Sequence, residues 1–169
     1  MGTMLWVDDD EERFAYERFV LTEQGWEVEW ATTVEAAAAM LAARRYEVVV
    51  LDQMVPSAEV GAHSALIMWA GCRLLWWLRG RYDWAMVPGE KGAGPGGAEW
   101  ACLAEGALPP SRNQGTPVLV VSGIYEPNVF ERMRKASGAD DELTFLAKPL
   151  EPEALLRVAA RKVRESLPP

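Results

Sequence analysis

Five short apolar segments recur along the chain, separated for the most part by helical patterns. Thr3–Asp8 (TMLWVD) is the first strand-like segment. Trp26–Ala31 (WEVEWA) alternates apolar with polar residues, as an edge or half-buried strand does. Glu47–Asp52 (EVVVLD) and Pro117–Ser122 (PVLVVS) are nearly continuous β-branched runs, the pattern of parallel strands covered on both faces. Leu143–Ala147 (LTFLA) is the fifth. Helical patterns lie at about Glu11–Gln24, with Phe14, Phe19 and Leu21 among the apolar positions, and at about Val34–Arg44, with Thr32 or Thr33 as the cap. Further ones cover about Ser64–Tyr82, Pro127–Ser137 and Glu151–Leu167.

Repeated strand–helix units predict a parallel sheet with right-handed crossovers and helices on both faces. The third crossover breaks the rhythm. It runs from residue 53 to 115, whereas one helix and about a dozen residues suffice for such a connection. Its second half (GEKGAGPGGAEWACLAEGALPPSRNQG) is rich in glycine and proline and reads as a loop, with a short helix expected at Glu99–Glu105. No second domain is expected.

Composition narrows the function classes. A formal net charge of −8 disfavours phosphate backbones and anionic membrane surfaces as partners. No uncharged apolar run reaches the ~18 residues of a membrane span. The start, MGTMLWVDDDEERF, lacks the basic and apolar regions of a secretory signal. Cys72 and Cys102 match no metal spacing and are expected as thiols of a cytoplasmic protein, pairing with each other being the alternative. His63 is the only histidine and completes no dyad; the glycines at 89–97 do not form a phosphate loop.

Candidate chemistry gathers where the strands end, the rim at which open α/β sheets bind ligands. Asp8, Asp9 and Asp10 follow the first strand, Asp52 ends the third, Ser122 the fourth, and Lys148–Pro149 follows the fifth. Clustered carboxylates repel unless a cation sits among them, and a hard, oxygen-liganded ion such as Mg2+ suits them. A carboxylate can also attack phosphorus, and a lysine with a metal ion can neutralise the transferring oxygens. Singly these motifs are weak. An Asp pair before a helix is often only an N-cap, and Asp10, Glu11 and Glu12 are expected to be solvated first-turn acids.

The segments VDDD (7–10), VVVLDQMVP (48–56), PVLVVSG (117–123) and FLAKP (145–149) resemble, in order and strand position, the receiver domains of two-component response regulators. The resemblance covers most of the chain apart from the long crossover. It implies a doubly wound, flavodoxin-like sheet of order 2-1-3-4-5 in a single receiver domain over 1–169. Asp52 would be the phosphoacceptor, and Mg2+ would be held by Asp9, Asp52 and the Met54 carbonyl, with Asp8 acting through water. Ser122 and Lys148 would contact the phosphoryl oxygens, the Lys148–Pro149 bond would be cis, and Phe145 would be the switch aromatic that turns inward as Ser122 moves. A histidine kinase or phosphotransfer protein would supply the phosphoryl group and a downstream protein would read it. Such a domain is not an enzyme beyond its own phosphorylation and dephosphorylation.

Departures cluster just after Asp52. The family's Asp-Gly after Pro56 is missing, which suggests insertions at about 57–70 and 82–115 around GCRLLWWLRG (71–80), the segment resembling the family's third helix. Met54 stands where the family often has a polar residue. Trp69, Trp76, Trp77, Trp84 and Trp100 lie in this crossover. They can be core packing, or a partner or homodimer surface, since tryptophan is favoured at interface hot spots. The alternative function is a receiver-like interaction scaffold that no longer uses phosphate. A haloacid-dehalogenase-type phosphatase needs a second aspartate two residues after the nucleophile, where this chain has Met54.

Overall fold

The computed structural model describes residues 2–56, 70–80, 107–109, 111–123 and 143–166. Along the chain come β1 (Thr3–Val7), a 3-10 turn (Glu12–Phe14) leading into α1 (Ala15–Glu23), β2 (Glu27–Ala31), α2 (Val34–Ala43) and β3 (Val48–Asp52). Within the third crossover comes α3 (Ala70–Leu78), followed by β4 (Val118–Ser122), β5 (Thr144–Ala147) and α4 (Pro152–Ser166). The five strands form one sheet of order β2-β1-β3-β4-β5, and every pairing is parallel. This is the expected doubly wound architecture. No described helix is long and apolar enough to cross a membrane.

Side-chain alternation explains why the inner strands are apolar throughout. Leu5, Val7, Val49, Leu51, Val118 and Val120 point to one face and pack with α2 and α3. Met4, Trp6, Val48, Val50, Leu119 and Val121 point to the other and pack with Phe14, Leu21, Leu155 and Ala159 from α1, its leading turn and α4. Residues of β3 are all buried, whereas β2, at the sheet edge, is largely half-buried, as its alternating sequence predicts.

Local details refine the expectations. Thr33 is the α2 cap, its side chain accepting from the Ala36 amide at 3.2 Å. The first helical pattern is not one helix: it opens as a 3-10 turn, which carries Phe14 into the core. Phe19, expected among the apolar positions, is instead 60% exposed, while Leu21 is fully buried. Trp76 and Trp77 are buried in α3, so for these two the packing reading holds. The helices expected at 99–105 and 127–137, His63, Cys102, Trp69, Trp84, Trp100 and most of both expected insertions lie outside the described residues. The Cys72 thiol is buried, which pushes its pKa up to about 12 and keeps it protonated.

The crossover returns through a polar clasp. A helix leaves its last carbonyls without intrahelical donors. For α2 that need is met by Asn113, fully buried, whose amide donates to the carbonyls of Leu41 and Arg44, both at 2.8 Å. Its side-chain oxygen accepts from the Tyr46 amide at 2.7 Å, and the Ser111 hydroxyl donates to Leu41 at 3.2 Å. The Thr116 hydroxyl donates to the Tyr46 carbonyl at 3.0 Å. Residues 111–116 therefore tie the crossover's exit to the end of α2 and the entry of β3.

At the other end, α3 meets β3 at a glycine. The Gly71 amide donates to the Gln53 carbonyl at 3.1 Å. A Cβ built on Gly71 would stand 2.3 Å from the Asp52 carbonyl oxygen, so only hydrogen fits. Two outcomes follow. Asn113→Ala should cost about 2–4 kcal/mol, because it leaves several buried polar groups unpaired, and chemical denaturation measures this directly. Gly71→Val should cost about 1–3 kcal/mol by overpacking, and should shift the amide NMR signals of Asp52 and Gln53 more than those of β1.

Candidate functional site

The site begins where β1 stops. Asp8 still belongs to the sheet through its backbone, its amide donating to the Ala31 carbonyl at 3.0 Å. The chain then turns: the Asp10 amide donates to Asp8 Oδ1 at 3.1 Å, and the Arg13 amide donates to Asp10 Oδ1 at 3.1 Å. Capping of the leading turn therefore falls to Asp10, which does more than the solvated acid expected there. Asp9 is left exposed at the rim, and Glu11 pairs with Arg18.

Two buried carboxylates meet one ammonium. Asp8 is wholly buried, and Asp52 is 7% exposed at the end of the most covered strand. Lys148 Nζ donates to Asp8 Oδ2 at 2.7 Å and to Asp52 Oδ2 at 2.8 Å. The second Asp52 oxygen, Oδ1, accepts from the Met54 amide at 3.2 Å. Asp8, Asp52 and Lys148 share the strand parity that faces α1 and α4. The Lys148–Pro149 peptide is cis, as expected, and the Lys148 amide donates to the Ser122 carbonyl at 2.9 Å.

Burial shapes the titration of both partners. Desolvation pushes the Asp8 carboxyl above its ordinary value, with the nearby Asp52 charge acting the same way; the hydrogen bonds from Lys148 and the Asp10 amide only partly oppose it. Burial works to lower Lys148, but the hydrogen bonds to Asp52 and Asp8 outweigh it and leave its pKa raised. Lys148 therefore stays protonated at neutral pH.

Carboxylate oxygens of Asp8, Asp9 and Asp52 lie within 4.8 Å of one another. Three carboxyl groups stand against one ammonium in this cluster, and the donors are all hard oxygens. That fits a divalent cation of the Mg2+ class. Of the residues singled out from sequence, Asp8, Asp9, Asp52 and Lys148 are thus brought together. Met54 is tied to the cluster through its amide. Ser122 is half-buried at the end of β4, one residue past the partner of Asp52, and Phe145 packs against the core on the α2/α3 face.

Sequence reading missed the aromatic shelf beneath the cluster. The Phe14 ring lies under Lys148, with Nζ 5.1 Å from its centroid. Trp6 and Trp30 stack at 4.8 Å with 19° between planes, and Phe14 tilts against Trp6 at 5.1 Å. The Trp30 indole N–H donates to the Asp8 carbonyl at 2.7 Å. Residues 6, 14 and 30 come together only through the sheet and the leading turn of α1, and their spacing forms no motif.

Comparison with known proteins gives a consistent fold. No family model matches the chain, and no curated protein matches it. Solved structures do. The receiver domain of the Francisella response regulator 1452 superposes with a TM-score of 0.64 at 18% identity, covering 99% of this chain and 100% of that one. A CheY-like response regulator receiver domain protein from Methanospirillum hungatei gives 0.62 at 20% identity, covering 98% and 96%. The chemotaxis protein CheY4 of Vibrio cholerae gives 0.61 at 21% identity, covering 96% and 98%. With its sheet order, its acidic rim and these matches, the chain has the CheY-like fold of response-regulator receiver domains.

Proposed function

We propose that this chain is a response-regulator receiver that accepts a phosphoryl group on Asp52 and signals by protein–protein contact. The observation that carries the reading is Lys148 bonded at once to Asp52 and Asp8, with Asp9 in reach of both carboxylates. A phosphohistidine of a histidine kinase or phosphotransfer protein is the donor. An Asp52 oxygen forms the new O–P bond as the P–N bond breaks, and the imidazole leaves with that electron pair and takes up a proton. Lys148, already at hydrogen-bond distance from Asp52, pairs with the phosphoryl oxygens.

Mg2+ would be held by Asp9, Asp52 and the Met54 carbonyl, with Asp8 acting through water. Bound there, it would supply the charge that offsets the phosphoryl oxygens and the three carboxylates. The Ser122 hydroxyl donates to the phosphoryl group and Phe145 follows its movement, which carries the signal to a downstream protein. The Met54 side chain, next to the acceptor, sets how readily water reaches the acyl phosphate. The domain spans 1–169, with the enlarged crossover at about 57–70 and 82–115 adding surface for the target or for a second copy. It is a cytoplasmic phosphoprotein and turns over no external substrate.

Two measurements test this. Incubation with acetyl phosphate and Mg2+ should add one phosphoryl group by intact-mass analysis, and Asp52→Asn should abolish it. Removing Mg2+ with a chelator should slow the wild-type reaction by roughly a hundredfold or more, the scale of losing a charge-stabilising group. A wild-type protein that neither gains the phosphoryl group nor changes its tryptophan fluorescence with Mg2+ and beryllofluoride would instead favour a phosphate-independent interaction scaffold.

A further inference from the structure

We propose that Phe14 and Trp30 are positioning residues of the acidic site: Phe14 holds the Lys148 ammonium against its ring face, and Trp30 fixes Asp8 through its backbone. Lysine is a long, flexible side chain with three ammonium hydrogens. Two of them are directed at Asp8 and Asp52. The ring of Phe14, 5.1 Å from Nζ, takes the side that water would otherwise solvate. A cation over an aromatic face is held by the ring quadrupole, and more strongly where water is excluded. Phe14 itself is 2% exposed, and Lys148 has only 11% of its side chain accessible.

Trp30 completes the device from the neighbouring strand. Both backbone groups of Asp8 are tied to the end of β2: its amide to the Ala31 carbonyl at 3.0 Å, its carbonyl to the Trp30 indole at 2.7 Å. The peptide linking Asp8 to Asp9 is thereby held at a set angle, and with it the approach of the Asp9 carboxylate. The indole cannot swing away, because it stacks on Trp6, which is fully buried. The three rings form one shelf that sets the cation from below and the acidic pair from the side.

Positioning alone does not depend on phosphorylation, whereas its effect on phosphoryl acceptance rests on the function proposed above. The test therefore has two arms. Ring currents should shift the Lys148 ε-methylene protons upfield in the NMR spectrum of the wild type and of Phe14→Tyr, and Phe14→Leu should return them toward ordinary lysine values. In the second arm, Phe14→Leu should lower the maximal rate of phosphorylation by acetyl phosphate roughly three- to tenfold, the scale of one such contact, with half-saturating Mg2+ unchanged and Phe14→Tyr restoring the rate. Trp30→Phe should raise the half-saturating Mg2+ concentration instead. Should Phe14→Leu not fold, Phe14→Met carries the same comparison. Unmoved Lys148 signals in a folded Phe14→Leu overturn the placement, and a wild-type phosphorylation rate in that variant overturns the effect of Phe14 on phosphoryl acceptance. Failure of the wild type to accept phosphate overturns only the function, because the NMR arm still decides the positioning.

Discussion

Two carboxylates buried beside one ammonium set the terms for the rest of this molecule. Asp8 and Asp52 sit at the ends of adjacent strands, where the sheet offers them little water. Burying a carboxylate unpaired is costly, and Lys148 reaches both at 2.7 and 2.8 Å. The pairing joins residues 8, 52 and 148, so it exists only once all three strands are in register. With Asp9 in the same cluster, three carboxyl groups face one ammonium, which makes the rim receptive to a cation.

Around that constraint the fold supplies rigid support. β3 delivers Asp52 from a strand buried along its whole length, and Gly71 lets α3 approach the Asp52 backbone more closely than any side chain would allow. Asp10 takes over capping of the leading turn, which leaves Asp9 exposed at the rim. Below, Phe14 gives the ammonium an aromatic face, and Trp6 and Trp30 pack beside that ring. Far from the rim, the Asn113 clasp closes the enlarged crossover onto α2, so that its exit meets β4 in register. The length of that crossover is thus accommodated without disturbing the sheet.

Much of this was legible in the chain itself. Runs of β-branched residues marked β3 and β4, because a strand covered on both faces has no polar side to show. Thr33 announced its helix, and the acids at strand ends with a lysine before a proline marked the rim. Phe14 and Leu21, seven residues apart, share the buried face of the first helical segment, whereas Phe19, two residues before Leu21, falls on the opposite side and is exposed, so counting it with the apolar positions was wrong. The aromatic shelf and the Asn113 clasp left no signal, since each joins residues far apart whose types are individually ordinary.

The sequence by itself determined the alternation of elements, the parallel sheet and the identity of the charged residues at its rim, because these depend on local periodicity and on where strands end. Tertiary structure alone decided how the charges are shared: which two carboxylates take the lysine, which one faces outward, and what lies beneath the ammonium. Those outcomes depend on register between strands and on burial, and neither is a property of any short stretch of chain.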